Sequence, residues 1–430
     1  MKRSLKLISA PLAAAISMSI APTVSANPPK NDHSIQSLQS KSVIKISSLE
    51  DLNHLRGLSN QGENFEGKTI ILENDIYITK DGKKDGDPVE FKPIFKCPDY
   101  WTDDYDAGFK GIFDGNAKTL HFNSTNSNIF ETIGKGGIVK NLNITGQIEG
   151  GQNNSIVADQ NSGTIDNVNI DVSASNNAVG IFGFCRENTE YGVIKNCEIK
   201  GKLSSTCCIE GSGGMFSTAG ICGNNDGVIE SCKVSANLLS RVCNEADGIA
   251  ETAGISAFNR GIIRGCLVES NIINLNENSG DDLCGQAGGL VSTNNGLVEH
   301  STFNGNITSS YAGGIAGNNY GALKSCKANA TINGQFLAGL VRSNTWGYLI
   351  YSSNIYKKTA ESNGPQGFVN DCEFVGSIKS ITGEKVAIYE NIGLLILDNT
   401  RLDPEIINCK MNGKNVIKGV DSYYNCNFNK

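Results

Sequence analysis

The chain has 430 residues, of which 39% are hydrophobic and 19% charged, and its formal net charge is −7. This acidic balance argues against nucleic acid and anionic membrane surfaces as partners. The 49 glycines against nine prolines, with many Asn and Ser residues, indicate numerous turns rather than long helices.

Residues 1–26 have the layout of a secretory signal peptide. Three basic residues precede an apolar run at Leu7–Ile20, and Val24–Ala26 supplies the small side chains of a cleavage site before Asn27. A short membrane anchor is the alternative, but the run is too short and too rich in Ala and Ser. We therefore expect export to the cell surface, the periplasm or the medium. The mature chain is expected to have no transmembrane segment, and its first stretch, 27–42, to be flexible.

Residues 43–122 are predicted to cap the start of the domain. Leucines recur at three-residue spacing within Leu49–Leu58, which indicates an amphipathic helix, and Ser48 with Asp51 can cap its start. Because the open end of a stack of repeats exposes strand edges, a covering helix there prevents aggregation.

Residues 123–430 contain a repeated phrase with elastic spacing. Copies such as GVIKNCEIKGKL from Gly192, GVIESCKVSANL from Gly227 and GALKSCKANATI from Gly321 share a core, while the distance between copies varies. A constant core with variable spacing indicates one structural unit with insertions in its loops.

The parity of the apolar positions predicts how each unit bends. Counting from the glycine as zero, apolar residues fall at +2, +5, +7 and often +11. In one straight strand, even and odd positions face opposite sides, so +2 and +5 could not both point inward. A corner between +2 and +5 allows both to face the interior. Asn and Gly at +4 tolerate the left-handed backbone of such a corner. Position +4 holds Asn141, Asn167, Asn196, Ser231, Gly265, His300, Ser325, Asp371, Asn408 and Asn425.

Units of bent strands with one apolar side must stack to bury that side, which predicts an all-β parallel β-helix over 43–430 as a single domain. A propeller of antiparallel blades is the competing architecture. It is disfavoured because the repeats lack two-residue hairpin signals and vary in length.

Position +5 is predicted to form an inward column. Its members are Leu142, Val168, Cys197, Cys232, Cys266, Ser301, Cys326, Cys372, Cys409 and Cys426. Leu and Val at the same position indicate an apolar slot in which cysteine acts as a small hydrophobic residue. Metal binding or redox chemistry is the alternative, but the chain has no CxxC pair and a dry column offers metal no path from solvent.

Four further cysteines lie in insertions between the last strand of one unit and the first strand of the next. Cys207 and Cys208, Cys243, and Cys284 occupy equivalent places in consecutive units. We expect the insertions to project from one side, with at least one disulfide between neighbours, since export permits oxidation.

Three loops depart from the scaffold pattern and are the candidate binding regions. The first clusters carboxylates with aromatic side chains, which suits a sugar or calcium, with a solvated acidic loop as the alternative. Its residues are Tyr100, Trp101, Asp103, Asp104 and Asp106.

The second loop is a 26-residue insertion from Arg342 whose aromatic residues suit a binding surface, unless the loop packs against the flank of the solenoid. Its residues of interest are Trp346, Tyr348 and Tyr351. The third is the acidic loop Glu277–Asp282, where paired carboxylates could serve glycosidic chemistry. No catalytic residue, metal ligand or cofactor is assigned in any of them.

The phrase GGIAGNNYGALKSC from Gly313 and its siblings resemble the GLUG motif, GGLVGxNxGxIxNCxxxG, of secreted and surface bacterial proteins. Upstream, GKTIILENDIYI, FKPIF and GFKGIFDGNAKTLHF are similar to the opening that precedes such repeats, with Ala117 and Lys118 where Gly and His are usual. The resemblance covers roughly residues 43–430. It implies a right-handed, pectin-lyase-like β-helix.

Proteins with this motif include adhesin-like surface proteins and some immunoglobulin-cleaving metalloproteases. The chain lacks the H-E-x-x-H motif of the latter, since its histidines are His33, His54, His121 and His300, so protease activity is not implied. We expect an exported, non-catalytic, adhesin-like protein that contacts a host or environmental glycan or protein through side loops. The alternatives are a carbohydrate-active enzyme, either a polysaccharide lyase or a glycoside hydrolase, and a structural surface spacer.

Overall fold

The computed structural model describes residues 42–97, 108–126, 128–150, 155–177, 180–208, 214–243, 248–277, 285–344, 367–380, 392–393, 396–398 and 406–415. The predicted signal peptide and Cys426 lie outside these ranges. They stay predictions.

Helix α1, Leu49–Ser59, forms where the leucine spacing predicts it. The Ser48 side chain accepts a hydrogen bond from the Asp51 backbone N–H at 3.1 Å, and the Asp51 carboxylate accepts from the backbone N–H of Ser47 at 2.8 Å. This reciprocal capping satisfies donors that the first helical turn leaves open. Leu52, Leu55 and Leu58 are fully buried, so the helix covers the first layers of the domain. In the described ranges no helix has the length and apolarity needed to cross a membrane.

The first third of the described chain holds short strands and two long ones. They are β1 (Val43–Ile46), β2 (Thr69–Leu72), β3 (Ile76–Ile78), β4 (Ile112–Asp114), β5 (Thr119–Ser124), β6 (Phe130–Ile133), β7 (Ile138–Glu149), β8 (Ala158–Asn161), β9 (Thr164–Asn176), β10 (Gly180–Phe182) and β11 (Cys185–Asn188).

The central strands repeat a fixed order of one short, one long and two short strands. They are β12 (Val193–Lys195), β13 (Glu198–Cys207), β14 (Gly214–Ala219), β15 (Cys222–Asn225), β16 (Val228–Glu230), β17 (Lys233–Val242), β18 (Gly248–Ala253), β19 (Ser256–Asn259), β20 (Ile262–Arg264), β21 (Leu267–Asn276), β22 (Gln286–Gly288) and β23 (Val291–Asn294).

The remaining strands begin with a shorter repeated order of one short, one long and one short strand. They are β24 (Leu297–Glu299), β25 (Thr302–Gly313), β26 (Ala316–Asn319), β27 (Ala322–Lys324), β28 (Lys327–Ala338), β29 (Val341–Asn344), β30 (Phe368–Asn370), β31 (Glu373–Ser380), β32 (Ile392–Gly393), β33 (Ile396–Asp398), β34 (Ile406–Ile407), β35 (Lys410–Met411) and β36 (Lys414–Asn415).

Pairing between these strands is parallel, and each strand pairs with its equivalent in the next coil. The long strands run in the order β5, β7, β9, β13, β17, β21, β25, β28 and β31, and a separate nine-stranded sheet runs from β6 to β33. Among the described residues the one antiparallel pair of strands is β35 with β36. The chain is therefore a parallel β-helix, as the parity of the repeats predicts.

The corner at position +4 adopts the left-handed conformation in every described copy, which confirms the prediction. The φ angles of these residues lie between 49° and 61°. They belong to Asn141, Asn167, Asn196, Ser231, Gly265, His300, Ser325, Asp371 and Asn408. This turn lets +2 and +5 both face the interior.

The interior consists of columns of equivalent residues, one from each coil. Position +2 of successive coils is filled by Val139, Ile165, Ile194, Ile229, Ile263, Val298, Leu323 and Val369, all fully buried. At the covered end, five phenylalanines pack together, with the rings of Phe95 and Phe130 stacked at 4.7 Å between centroids. Aromatic packing thus fills part of the interior of the first layers.

Candidate functional site

The cysteine column is buried in the interior, as predicted from its register. Its described members are at most 3% exposed, with Ser301 fully buried in the cysteine's place. A hydrogen bond with the Cys197 thiol, followed by burial, raises the pKa of Cys232 well above its ordinary value, and a bond with Cys232 does the same for Cys266. Burial raises the pKa of Cys409 to about 11. Thiols with raised pKa values are poor nucleophiles and poor metal ligands. Cys326 differs, because a hydrogen bond with Cys372 lowers its pKa.

Metal binding was the alternative for these thiols. Nowhere in the described ranges do three or more His, Cys, Asp or Glu side chains come together in a way that could hold a metal ion. The thiols instead point to backbone carbonyls, as Cys232 Sγ does to Glu230 O at 3.3 Å. The geometry of the column is that of a scaffold.

A second interior column consists of asparagines that lie two residues before the repeat glycine in all but one coil, an ordered feature that the sequence patterns above did not predict. Five successive bonds join the six side chains, and in each the amide donates to the side-chain oxygen of the asparagine in the next coil at 2.7 to 2.8 Å. The asparagines are Asn161, Asn188, Asn225, Asn259, Asn294 and Asn319, at most 1% exposed. We call this column the asparagine ladder. The recurring Asn before Gly was the signal that could have revealed it.

The aromatic and acidic residues predicted to bind ligand all lie outside the described residues. These are Tyr100, Trp101, Asp103, Asp104 and Asp106 in the first loop, and Trp346, Tyr348 and Tyr351 in the second. In the third loop only Glu277 is described, and its carboxylate accepts from Arg241 Nε at 2.8 Å across neighbouring coils. Their roles stay predictions.

Two of the four insertion cysteines form a disulfide. Cys208 is bonded to Cys243, 35 residues further along the chain and one coil away. Cys207 keeps its thiol and packs with Phe216 and Val242 in a small buried cluster. Cys284 lies outside the described residues. The disulfide joins two neighbouring insertions at their bases.

In three consecutive coils the insertion begins at the same position of the coil. The strands β13, β17 and β21 end beside one another, because Cys207 pairs with Val242 and the neighbouring Arg241 pairs with Leu275. The return strands β14 and β18 also begin side by side, and β22 begins opposite Glu251, the fourth residue of β18. We call these strand ends, with the two exposed side chains described next, the insertion flank.

The insertion flank carries exposed apolar side chains. Ile273 and Leu275 near the end of β21 are 37% and 40% exposed. Arg241 pairs with Leu275 across the strands, and Glu277 follows Leu275 by two residues along the chain. The side chains of Arg241 and Glu277 form an ion pair. Exposed apolar side chains with charged groups at their edge are typical of a small contact surface.

A buried carboxyl group lies on the return strands just below this flank. Glu251 of β18 is 5% exposed, and its neighbours Gln286 and Thr293 are each 8% exposed. Gln286 Nε2 donates to Thr293 Oγ1 at 2.7 Å and to Glu251 Oε1 at 3.4 Å. Glu251 Oε2 accepts no hydrogen bond from the part of the chain that the structure describes. We call Glu251, Gln286, Ser292 and Thr293 the buried carboxyl cluster.

Burial determines the charge of Glu251. Loss of water around the carboxylate raises its pKa from 4.5 to about 8, and Ser292 and Gln286 offset only part of this rise. The carboxyl group therefore carries a proton at neutral pH. Sequence patterns give no sign of this cluster, since the residue types at these positions differ from coil to coil, with Tyr311 following Gln286 in the next coil and Phe258 preceding Thr293 in the previous one.

Comparison with known proteins adds no relative. No protein-family model matches the chain. No curated protein matches it, and no solved structure does.

Proposed function

We propose that the protein is an exported, non-catalytic binding protein of the adhesin type, and that its β-helix presents the insertion flank to a glycan or protein ligand. The observation that carries the proposal is the register of the three insertions. Because β13, β17 and β21 pair residue by residue, their insertions begin from one rigid face. Loops on a rigid scaffold are the usual location of binding residues.

Three further features support the proposal. The Cys208–Cys243 disulfide ties two insertions together at their bases, and a covalent tie of this kind lowers the entropic cost of binding. Ile273 and Leu275 supply exposed apolar area beside them. The signal-peptide pattern and the resemblance to GLUG-motif repeats favour a protein exported to the surface or beyond it.

The test is a binding screen with paired turnover assays. Residues 27–430 would be applied to arrays of glycans and extracellular proteins, and the same glycans would be assayed for released product. Retained ligand without product supports the proposal. Product release favours a carbohydrate-active enzyme, and absence of any ligand favours a structural spacer.

A matched pair of variants locates the surface once a ligand is found. We expect the double variant Ile273→Ser/Leu275→Ser to bind at least about tenfold more weakly, a loss of about 1.4 kcal/mol. The control is Val43→Ser/Tyr191→Ser, which removes two exposed apolar residues far along the chain from the flank. Equal losses in both variants would contradict the assignment to the insertion flank.

A further inference from the structure

The buried carboxyl cluster places a hydroxyl group against a side-chain amide, with both side chains only 8% exposed. Gln286 begins β22 and Thr293 lies on β23, and the chain turns sharply between them. A β-carbon at Gly288 would lie 1.7 Å from Val291 O, so only glycine permits this turn. The turn brings Thr293 Oγ1 to 2.7 Å from Gln286 Nε2.

The same amide nitrogen also faces a carboxyl group. Glu251 Oε1 lies 3.4 Å from Gln286 Nε2 on the neighbouring coil. The other carboxyl oxygen is buried and has no hydrogen-bond partner in the described ranges. An amide between a hydroxyl and a carboxyl group has the three groups that an acyl transfer needs: an acyl donor, a nucleophile and an acid–base group.

We propose that Thr293 and Gln286 join in an intramolecular ester, with Glu251 as the acid–base group. Thr293 Oγ1 attacks Cδ of Gln286, forming the O–C bond, and the Cδ–Nε2 bond breaks. Glu251 gives its proton to the leaving nitrogen and takes the proton of the threonine hydroxyl. Ammonia leaves, no electrons are gained or lost, and Glu251 ends in its starting state.

The surroundings favour this pair over the neighbouring hydroxyl. Ser292 is fully buried and its Oγ donates to the backbone oxygen of Gln286 at 3.4 Å, away from the amide nitrogen. Because Glu251 is protonated at neutral pH, it starts in the form that a leaving amide nitrogen requires. Burial of both side chains limits the access of water to the ester and so slows its hydrolysis.

The ester closes the corner between β22 and β23 with a covalent bond, directly behind the third insertion. Gln286 is the first residue of β22, and β23 pairs with β19 and β26 in the nine-stranded sheet. The bond would hold the base of the insertion flank to that sheet. This inference does not depend on the proposed binding function.

Mass spectrometry of the full mature chain tests the ester. Cleavage after Glu277 and Glu299 gives a peptide, 278–299, that contains both residues. We expect this peptide to be lighter by the mass of one ammonia molecule and to yield no backbone fragments between Gln286 and Thr293. A wild-type peptide at its unmodified mass would overturn the proposal, whatever the variants do.

Variants separate the ester from other losses of ammonia. The Asn295–Gly296 step in the same peptide can also lose ammonia, by forming a succinimide. The Thr293→Val variant distinguishes the two reactions, because it cannot form the ester but can still form the succinimide. We expect the peptide to remain lighter by one ammonia molecule in Thr293→Ser, which keeps a hydroxyl group, and in the control Ser292→Ala. Glu251→Gln should slow or abolish it. Persistence of the full loss in Thr293→Val would refute the assignment.

Discussion

At the residue scale, the fold depends on single positions whose backbone is left-handed. Ser231, Ser325 and His300 hold φ angles of 49° to 54° without the relief that Gly or Asn provides. The corner is nevertheless kept, because it turns the next residue into the core. Cys232, which follows Ser231, is 2% exposed.

We predict opposite effects for two substitutions of Ser231. Ser231→Val should destabilise the protein by about 1–2 kcal/mol, because a β-branched side chain clashes in the left-handed region. Ser231→Asn should leave the free energy of unfolding unchanged or raise it by about half a kcal/mol. Urea denaturation measures both changes.

The matched control is Ser173→Val, on an exposed extended position of β9. A strand accommodates valine readily, so its free energy of unfolding should stay within about 0.5 kcal/mol of wild type. A loss at Ser173 as large as that at Ser231 would show that the corner geometry is not the cause.

At the element scale, neighbouring coils are joined by stacked amides as well as by backbone pairing. The asparagine ladder lies in the interior, while a separate exposed stack links Asn271 to Asn237 at 3.1 Å and to Asn306 at 2.8 Å. The two stacks have similar bonds but different access to water. Their contributions should differ accordingly, since only the buried groups have no water to replace a lost partner.

We predict that Asn259→Ala destabilises the protein by about 2–3 kcal/mol, because it strips partners from Asn225 and Asn294 in a buried setting. The same substitution in the exposed stack, Asn271→Ala, should cost less than about 1 kcal/mol. Chemical denaturation of both variants measures the difference. Equal costs would mean that burial of the ladder is not what gives it its stability.

At the scale of the whole molecule, the free energy of unfolding should depend on pH through Glu251. The folded state keeps this proton up to pH about 8, whereas the unfolded carboxyl loses it near its ordinary pKa of 4.5. The stabilisation is therefore complete at pH values below 4.5 and is lost as the pH rises towards 8.

We predict that Glu251→Gln removes this slope, which amounts to at most about 1.4 kcal/mol per pH unit. The difference in free energy of unfolding between wild type and variant should change steadily between pH 4.5 and about 8, the two ends of the pKa shift. The control Glu277→Gln, at an exposed ion pair, should keep the wild-type slope. A slope that survives in Glu251→Gln would place the responsible group elsewhere.

Sequence alone was enough to predict the coil, the corner and the cysteine column. Three local properties recur in each repeat: the period of the apolar residues, the change of parity between +2 and +5, and a residue at +4, often Asn, that suits the corner. Helix α1 and its cap follow from the same kind of local pattern. Repetition made these predictions strong, because an error in one copy is corrected by the others.

Contacts between different coils were decided only by the tertiary structure. Glu251 and Gln286 occupy equivalent positions of neighbouring coils, but the residue type there changes from coil to coil, so no recurring pattern marks them or Thr293. The bonding of Cys208 to Cys243, with Cys207 left as a thiol, likewise depended on which side chain faces outward at the end of β13. Sequence periodicity specifies which face of a strand is buried, but the pairing of particular side chains depends on the stacking of whole coils.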